Sequence, residues 1–297
     1  MSKIQEALRK FQARGNSGAG QASGRKGKSE KGPIPERVIP IATKKKVEVG
    51  GEKHHIDQEK LIHGGLLAPL DHAIPLADQF RRIKRPLIDN AFKNESDSKD
   101  LANLIVMASA LPGAGKTFCA MNLAASISLE RELNVLLVDA DVVKPHISAA
   151  FGLQGRRGLI DLLENEAVSI DDVLVRTDLN GIQILPAGHK HEQPTELLAS
   201  IRMGEIMREL AMRYPDRIIV LDSPPLLATS EAHAVARHAG QIVFVIECEK
   251  TTSSEIQESL RLIDQTKPIN IILNKSRYTQ AGGHYGGGYG YSGFNEA

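Results

Sequence analysis

The chain is 297 residues long, with 41% hydrophobic and 25% charged residues, proportions that exclude a fibrous or wholly disordered protein and leave room for one sizeable α/β domain with extensions. Its formal net charge of +1 hides a division, because residues 1–50 hold twelve Lys and Arg against four Glu, placing +8 there and −7 in the remaining 247 residues. Apolar runs such as Ile242–Ile246 are too short to span a bilayer, no leader-like apolar segment opens the chain, and Cys119 and Cys248 lack metal-ligand or redox spacing, so a cytoplasmic location is expected, with any membrane reached through a partner.

In chain order, Ile4, Ala7, Leu8 and Phe11 fall at i, i+3, i+4 and i+7, the spacing of a short amphipathic helix over residues 1–14. So short a helix is marginal alone, which implies docking. Residues 15–73 read as a basic, largely disordered linker: 15–36 are Gly, Ser, Lys and Pro, and 37–72 scatter apolar residues around Lys44, Lys45 and Lys46. This arm is either a solvated tether or a contact for an anionic membrane or acidic tail. The basic stretch 1–50 holds a single aromatic, Phe11, which argues against nucleic acid. A helix is expected over Leu76–Phe92, broken or kinked at Pro86, with Arg81, Arg82, Lys84 and Arg85 on a solvated face.

Residues 74–275 then alternate strand and helix signals. Strands are expected at Leu104–Ala108, Val135–Val138, Ile182–Leu185, Arg217–Leu221, Ile242–Ile246 and Ile269–Leu273. Helices are expected from Lys116 to about Glu130, over Thr195–Met212 and over Ser253–Gln265. Continuous apolar strands separated by helices predict an α/β domain, a doubly wound and mostly parallel sheet with helices on both faces. Residues 276–297 form a Gly-rich, flexible tail that holds four of the five tyrosines, Tyr278, Tyr285, Tyr289 and Tyr291.

Three motifs carry chemistry. Ala110-Leu111-Pro112-Gly113-Ala114-Gly115-Lys116-Thr117 fits the Walker A pattern of a P-loop NTPase with Ala at the first Gly position. Its glycines let the backbone N–H groups of Gly113, Ala114, Gly115, Lys116 and Thr117, after Pro112, turn toward phosphates, Lys116 neutralises β/γ charge, and Thr117 offers a magnesium ligand. Val135–Val138 delivers Asp139 and Asp141 to the end of a buried strand, where paired carboxylates suit magnesium coordination and proton acceptance. Ile218–Leu221 delivers Asp222, a Walker B acid, before Ser223-Pro224-Pro225. Asn274, after the last strand, is placed to reach the nucleotide base or to cap a turn. His54, His55, His189 and His191 sit in polar or loop segments and suggest no metal site.

These three motifs in this order resemble the bacterial tyrosine autokinases of exopolysaccharide synthesis and export. Further matches are Pro145 with Phe151-Gly152-Leu153, Gly158-Leu159-Ile160-Asp161-Leu162-Leu163, Leu185-Pro186-Ala187-Gly188, Pro194-Thr195-Glu196-Leu197-Leu198 and the tail tyrosines. The opening Met1-Ser2-Lys3-Ile4-Gln5-Glu6-Ala7-Leu8 resembles the exosortase-associated subgroup. The resemblance implies a Mg-ATP-dependent kinase in which Lys116, Asp139, Asp141 and Asp222 act catalytically, Thr117, Asp141 and Asp222 serve the metal, and Asp139 or Asp141 is the base. It also implies phosphorylation of Tyr278, Tyr285, Tyr289 and Tyr291 between subunits of a ring-shaped homo-oligomer. Asp78, Arg81 and Lys84 match the ring-interface positions, with Asp for Glu and Lys for Arg as departures. An inner-membrane chain-length regulator as activator and a cognate tyrosine phosphatase are the implied partners. Leu111 stands where the partitioning ATPases carry a second lysine. The competing reading is a nucleotide-switched interaction ATPase of that superfamily, which would need no acceptor tail. A small-molecule kinase would need an acceptor pocket that the sequence does not locate.

Overall fold

The computed structural model describes residues 53–67, 75–92, 101–179, 181–214 and 216–276. The seven strands are β1 (Leu104–Ala108), β2 (Asn134–Asp139), β3 (Val175–Arg176), β4 (Ile182–Leu185), β5 (Arg217–Asp222), β6 (Gln241–Glu247) and β7 (Ile269–Asn274). They form one sheet in the order β3-β4-β2-β5-β1-β6-β7. Every pairing is parallel except β3 with β4. The six expected strands are present, each within a residue of its expected bounds, and the fold is the expected P-loop α/β architecture. The two-residue β3 is too short to carry an alternation or an apolar run, so no residue pattern announces it.

Alternation along β1 sends Leu104, Val106 and Ala108 into one core and Ile105 and Met107 into the other, as a strand buried on both faces requires. The second face is covered by α1 (Gln58–His63), α2 (Pro75–Phe92), α3 (Lys116–Ser128) and α4 (His146–Ala150). The first is covered by α5 (Leu159–Glu164), α6 (Ile170–Val173), α7 (Pro194–Leu198), α8 (Ile201–Arg213), α9 (Ser230–Ala236) and α10 (Ser253–Arg261). The helix expected over Thr195–Met212 is two helices, because Ser200 caps a new start, its Oγ accepting from Met203 N at 3.2 Å.

Two expectations are corrected. Pro86 does not interrupt α2, which runs unbroken from Pro75 to Phe92. Pro86 sits on the exposed face, between buried Lys84 and Leu87, so packing by Phe80 and Leu87 outweighs the one lost backbone bond. The linker expected to reach residue 73 is also too long. Residues 53–67 lie on the domain: His54 bridges Thr177, Asp57 caps α1, and Ile56, Leu61 and Leu67 are buried. Apolar residues spread over a bridge, a one-turn helix and a turn carry no period to read. Among the described residues no helix is long and apolar enough to cross a membrane. The amphipathic segment 1–14, most of the basic arm, and Tyr278, Tyr285, Tyr289 and Tyr291 lie outside the described residues.

Candidate active site

The strand order sets β2, β5 and β1 side by side, so their C-terminal ends meet. Asp139 stands directly opposite Asp222, and Met107 opposite Asp222 on the other side. β1 runs into the loop 109–115, which turns into α3 through Gly115 at φ 91°, a left-handed conformation that glycine adopts without strain. No side chain caps the start of α3. Its first N–H groups and the positive end of its dipole therefore open onto the crevice above the sheet.

Lys116 begins that helix. It is 8% exposed, and its Nζ donates to Ser109 Oγ at 3.1 Å, while Ser109 Oγ donates to Leu111 O at 2.8 Å. Burial lowers the Lys116 ammonium pKa, and the charges of Asp222 and Asp141 oppose that shift. Thr117 Oγ1 donates to Asp222 Oδ2 at 2.6 Å. Asp222 is 1% exposed, and burial raises its carboxyl to about 6 despite that hydrogen bond and Lys116. The Asp222 Oδ1 has no hydrogen-bond partner among the described residues.

The paired aspartates separate in role. Asp139 is fully buried, and its Oδ2 accepts from both the backbone N–H and the Oγ of Ser148, each at 2.7 Å. It therefore braces α4 against the end of β2. Burial raises it to about 7, with Asp222 and Asp141 adding like-charge repulsion. Asp141 is only partly buried, accepts from Lys144 N at 3.1 Å, and feels the charges of Lys116, His146 and Lys144. Of the pair, only Asp141 is open to solvent.

Asp222 and Asp141 act on Lys116 together, and among the described residues Asp222 keeps a buried oxygen without a hydrogen-bond partner. Hard oxygen donors in excess of positive charge fit a magnesium ion. Thr117, Asp222 and Asp141 are the residues that would hold it. Pro112, Gly113 and Ala114 complete the loop as expected, with Leu111 exposed at its rim. Asn274, at the end of β7, reaches this loop: its amide donates to Ala114 O at 2.8 Å.

The expected interface residues also divide. Asp78 pairs with Arg82 at 2.8 Å and Arg81 at 3.9 Å on the surface of α2. Lys84 is instead 3% exposed, its Nζ donating to Ser126 O at 2.5 Å and pairing with Glu130 at 2.9 Å. Lys84 thus caps the C-terminal end of α3, where free carbonyls attract a cation. This corrects its placement on a solvated face.

Several motif residues act in packing. A Cβ on Gly158 would lie 2.1 Å from Pro186 O and 2.6 Å from Gly188 N. Asp161 ties the same crossing together by accepting from Gly158 N at 2.8 Å and pairing with His189 Nδ1 at 2.6 Å. His189 is therefore exposed but partnered. Ser109 and Ser148 were not foreseen, since no spacing rule links a serine to an aspartate nine residues away.

Comparison with known proteins places this geometry. The AAA domain family matches residues 102–275. The putative tyrosine-protein kinase EpsB of Ralstonia nicotianae is 36% identical over 159 residues, 54% of this chain and 21% of that protein. The putative tyrosine-protein kinase CapB of Staphylococcus aureus is 27% identical over 212 residues, 71% of this chain and 89% of CapB. The crystal structure of the VpsO kinase domain is 30% identical, covers 69% of this chain and all of that domain, and has a TM-score of 0.53. The chain thus spans about a fifth of EpsB.

Proposed function

The chain belongs to the AAA domain family and, within it, to the bacterial tyrosine autokinases, and from that membership we propose that it is a Mg-ATP-dependent protein-tyrosine kinase that phosphorylates its own tail. The observation that carries this reading is the convergence of Lys116, Thr117, Asp141 and Asp222 at the ends of β1, β2 and β5. Phosphoryl transfer needs little from a protein beyond positioning and charge neutralisation. Lys116 and the N–H groups at the start of α3 bind the β and γ oxygens. Magnesium, when bound, supplies neutralisation of phosphate charge. A tyrosine hydroxyl has a pKa of about 10, so a proton acceptor assists its attack. Asp141 takes that proton as the Oη–Pγ bond forms and the bond from Pγ to the ADP oxygen breaks. Asp139 holds α4 and the end of β2 in place.

On this reading residues 74–275 are the catalytic unit, joined at its N-terminal side by 53–67, and 276–297 are the substrate tail. The acceptors are Tyr278, Tyr285, Tyr289 and Tyr291 on a neighbouring subunit of a ring, with Asp78 and Arg81 as its contacts and Lys84 held within its own subunit. Each phosphate adds roughly −1.5 to −2 charge, so a phosphorylated tail disfavours the ring and drives a cycle of assembly that a tyrosine phosphatase resets. An inner-membrane chain-length regulator would bring the kinase to the membrane and activate it, with the basic arm as a second contact, in regulation of exopolysaccharide polymerisation and export. The first eight residues support the exosortase-associated branch.

The test is mass spectrometry of the chain after incubation with Mg-ATP and the membrane partner, with Lys116→Met as control. Phosphate on the tail tyrosines is expected in the wild type and absent in the variant. Unmodified tyrosines alongside ATP hydrolysis would favour the nucleotide-switched ATPase instead.

A further inference from the structure

Asn274, read from the sequence as reaching the nucleotide base or capping a turn, gives its side-chain amide to the phosphate loop. Its Nδ2 donates to Ala114 O at 2.8 Å, across 160 positions of sequence. Ala114 C=O and Gly115 N–H are the two ends of one peptide unit, and no cis peptide occurs among the described residues. In a trans peptide these groups point in opposite directions. Holding the Ala114 carbonyl against β7 therefore turns the Gly115 N–H to the other side of the loop, the side on which a P-loop receives phosphate oxygens.

This peptide needs holding. Gly115 sits at φ 91° and has no Cβ to bias its backbone, so the plane between Ala114 and Gly115 can rotate with little steric penalty. The holder is itself fixed. Asn274 ends β7, pairs in register with Glu247 of β6, and its own carbonyl accepts from Cys248 N at 3.0 Å. Contact is close enough that a Cβ on residue 115 would meet Asn274 Nδ2 at 2.2 Å. Glycine at 115 thus serves the backbone angle and the lock together.

We propose that Asn274 is a positioning residue for phosphate binding, a donor that locks the Ala114–Gly115 peptide with its N–H facing the β-phosphate, and does not read the base. The proposal rests on the nucleotide-site reading given above. Only a side chain with a donor at this reach can act so. Asn274→Asp keeps the shape and sets a carboxylate against the Ala114 carbonyl; Asn274→Ala removes the bond without repulsion.

The experiment is calorimetric titration of the full chain, wild type and both variants, with Mg-ADP and separately with magnesium tripolyphosphate, which has no base. Thermal unfolding without ligand and the amide shift of Gly115 are recorded alongside. The lock predicts about tenfold weaker binding of both ligands for Asn274→Asp, and a smaller equal loss for Asn274→Ala, the scale of one buried donor removed. It also predicts little change in unfolding temperature and a smaller ligand-induced shift of the Gly115 amide. Loss confined to ADP, with tripolyphosphate unaffected, would overturn the lock in favour of base contact. Equal affinities in wild type and Asn274→Asp would overturn it outright while leaving the nucleotide site intact. A wild type that binds neither ligand would overturn the nucleotide-site reading and the lock with it.

Discussion

Replacing Asp222 with Asn should make the ligand-free protein more stable and remove its response to magnesium nucleotide. Burial raises the Asp222 carboxyl from 3.8 to about 6, and that position already includes the opposing help from Thr117 and Lys116. An acid whose folded pKa lies above its unfolded value favours the fold in its neutral form. Its contribution is fully present below about pH 4 and is lost as pH rises through about 6. A gap of roughly two pKa units is worth about 3 kcal/mol at 1.36 kcal/mol per unit. Asn imitates the neutral acid, accepts the Thr117 hydroxyl proton, and carries no charge to desolvate. Urea unfolding in EDTA should therefore show Asp222→Asn more stable than wild type by about 3 kcal/mol at pH 8, an upper figure because buried sites relax, and by roughly half that at pH 5. Adding Mg-ADP at pH 8 should raise the wild-type midpoint and leave the variant unmoved. A variant no more stable than wild type at pH 8, or an advantage independent of pH, would refute the claim that this carboxylate is held charged at a cost that its cation offsets.

Asp141→Asn should lower tyrosine phosphorylation at least ~100-fold, the scale of a lost general base, with the fold little affected because Asp141 is only partly buried; retained phosphorylation in the mass spectrum would return the base role to Asp139. Lys84→Met should destabilise the chain by about 2–3 kcal/mol, since it leaves Glu130 with only the longer Arg85 pair at 3.6 Å and uncaps the buried Ser126 carbonyl, while Mg-ADP affinity measured by titration stays unchanged. Gly158→Ala should cost about 3 kcal/mol in urea unfolding, because its new methyl meets backbone atoms that cannot move aside. In apo protein, Asp139 at about 7 and Asp222 at about 6 together should make stability fall as pH rises from 5 to 8, and a flat or rising thermal midpoint over that range would contradict it.

What the sequence determined by itself is what local physics can encode. A short apolar run such as Leu104–Ala108 between helical segments reads as a strand buried on both faces, and a Gly-rich turn into Lys116 and Thr117 reads as a phosphate loop at a helix start. Those runs fixed the sheet, and the acids that end them fixed where the site would be. Tertiary structure alone decided what each side chain does there. Asp139 and Asp141 are two residues apart and look equivalent in sequence, yet only Asp139 meets Ser148 and is sealed from solvent. Lys84 lies in a charged run that reads as a wet surface, yet it turns inward to a carbonyl 42 residues away. Asn274 finds Ala114 across 160 residues. Hydrogen bonds of that span depend on how helices and strands are set against one another, which no short window of sequence records, and they decide whether a carboxylate, a lysine or an amide takes part in chemistry or holds the parts that do.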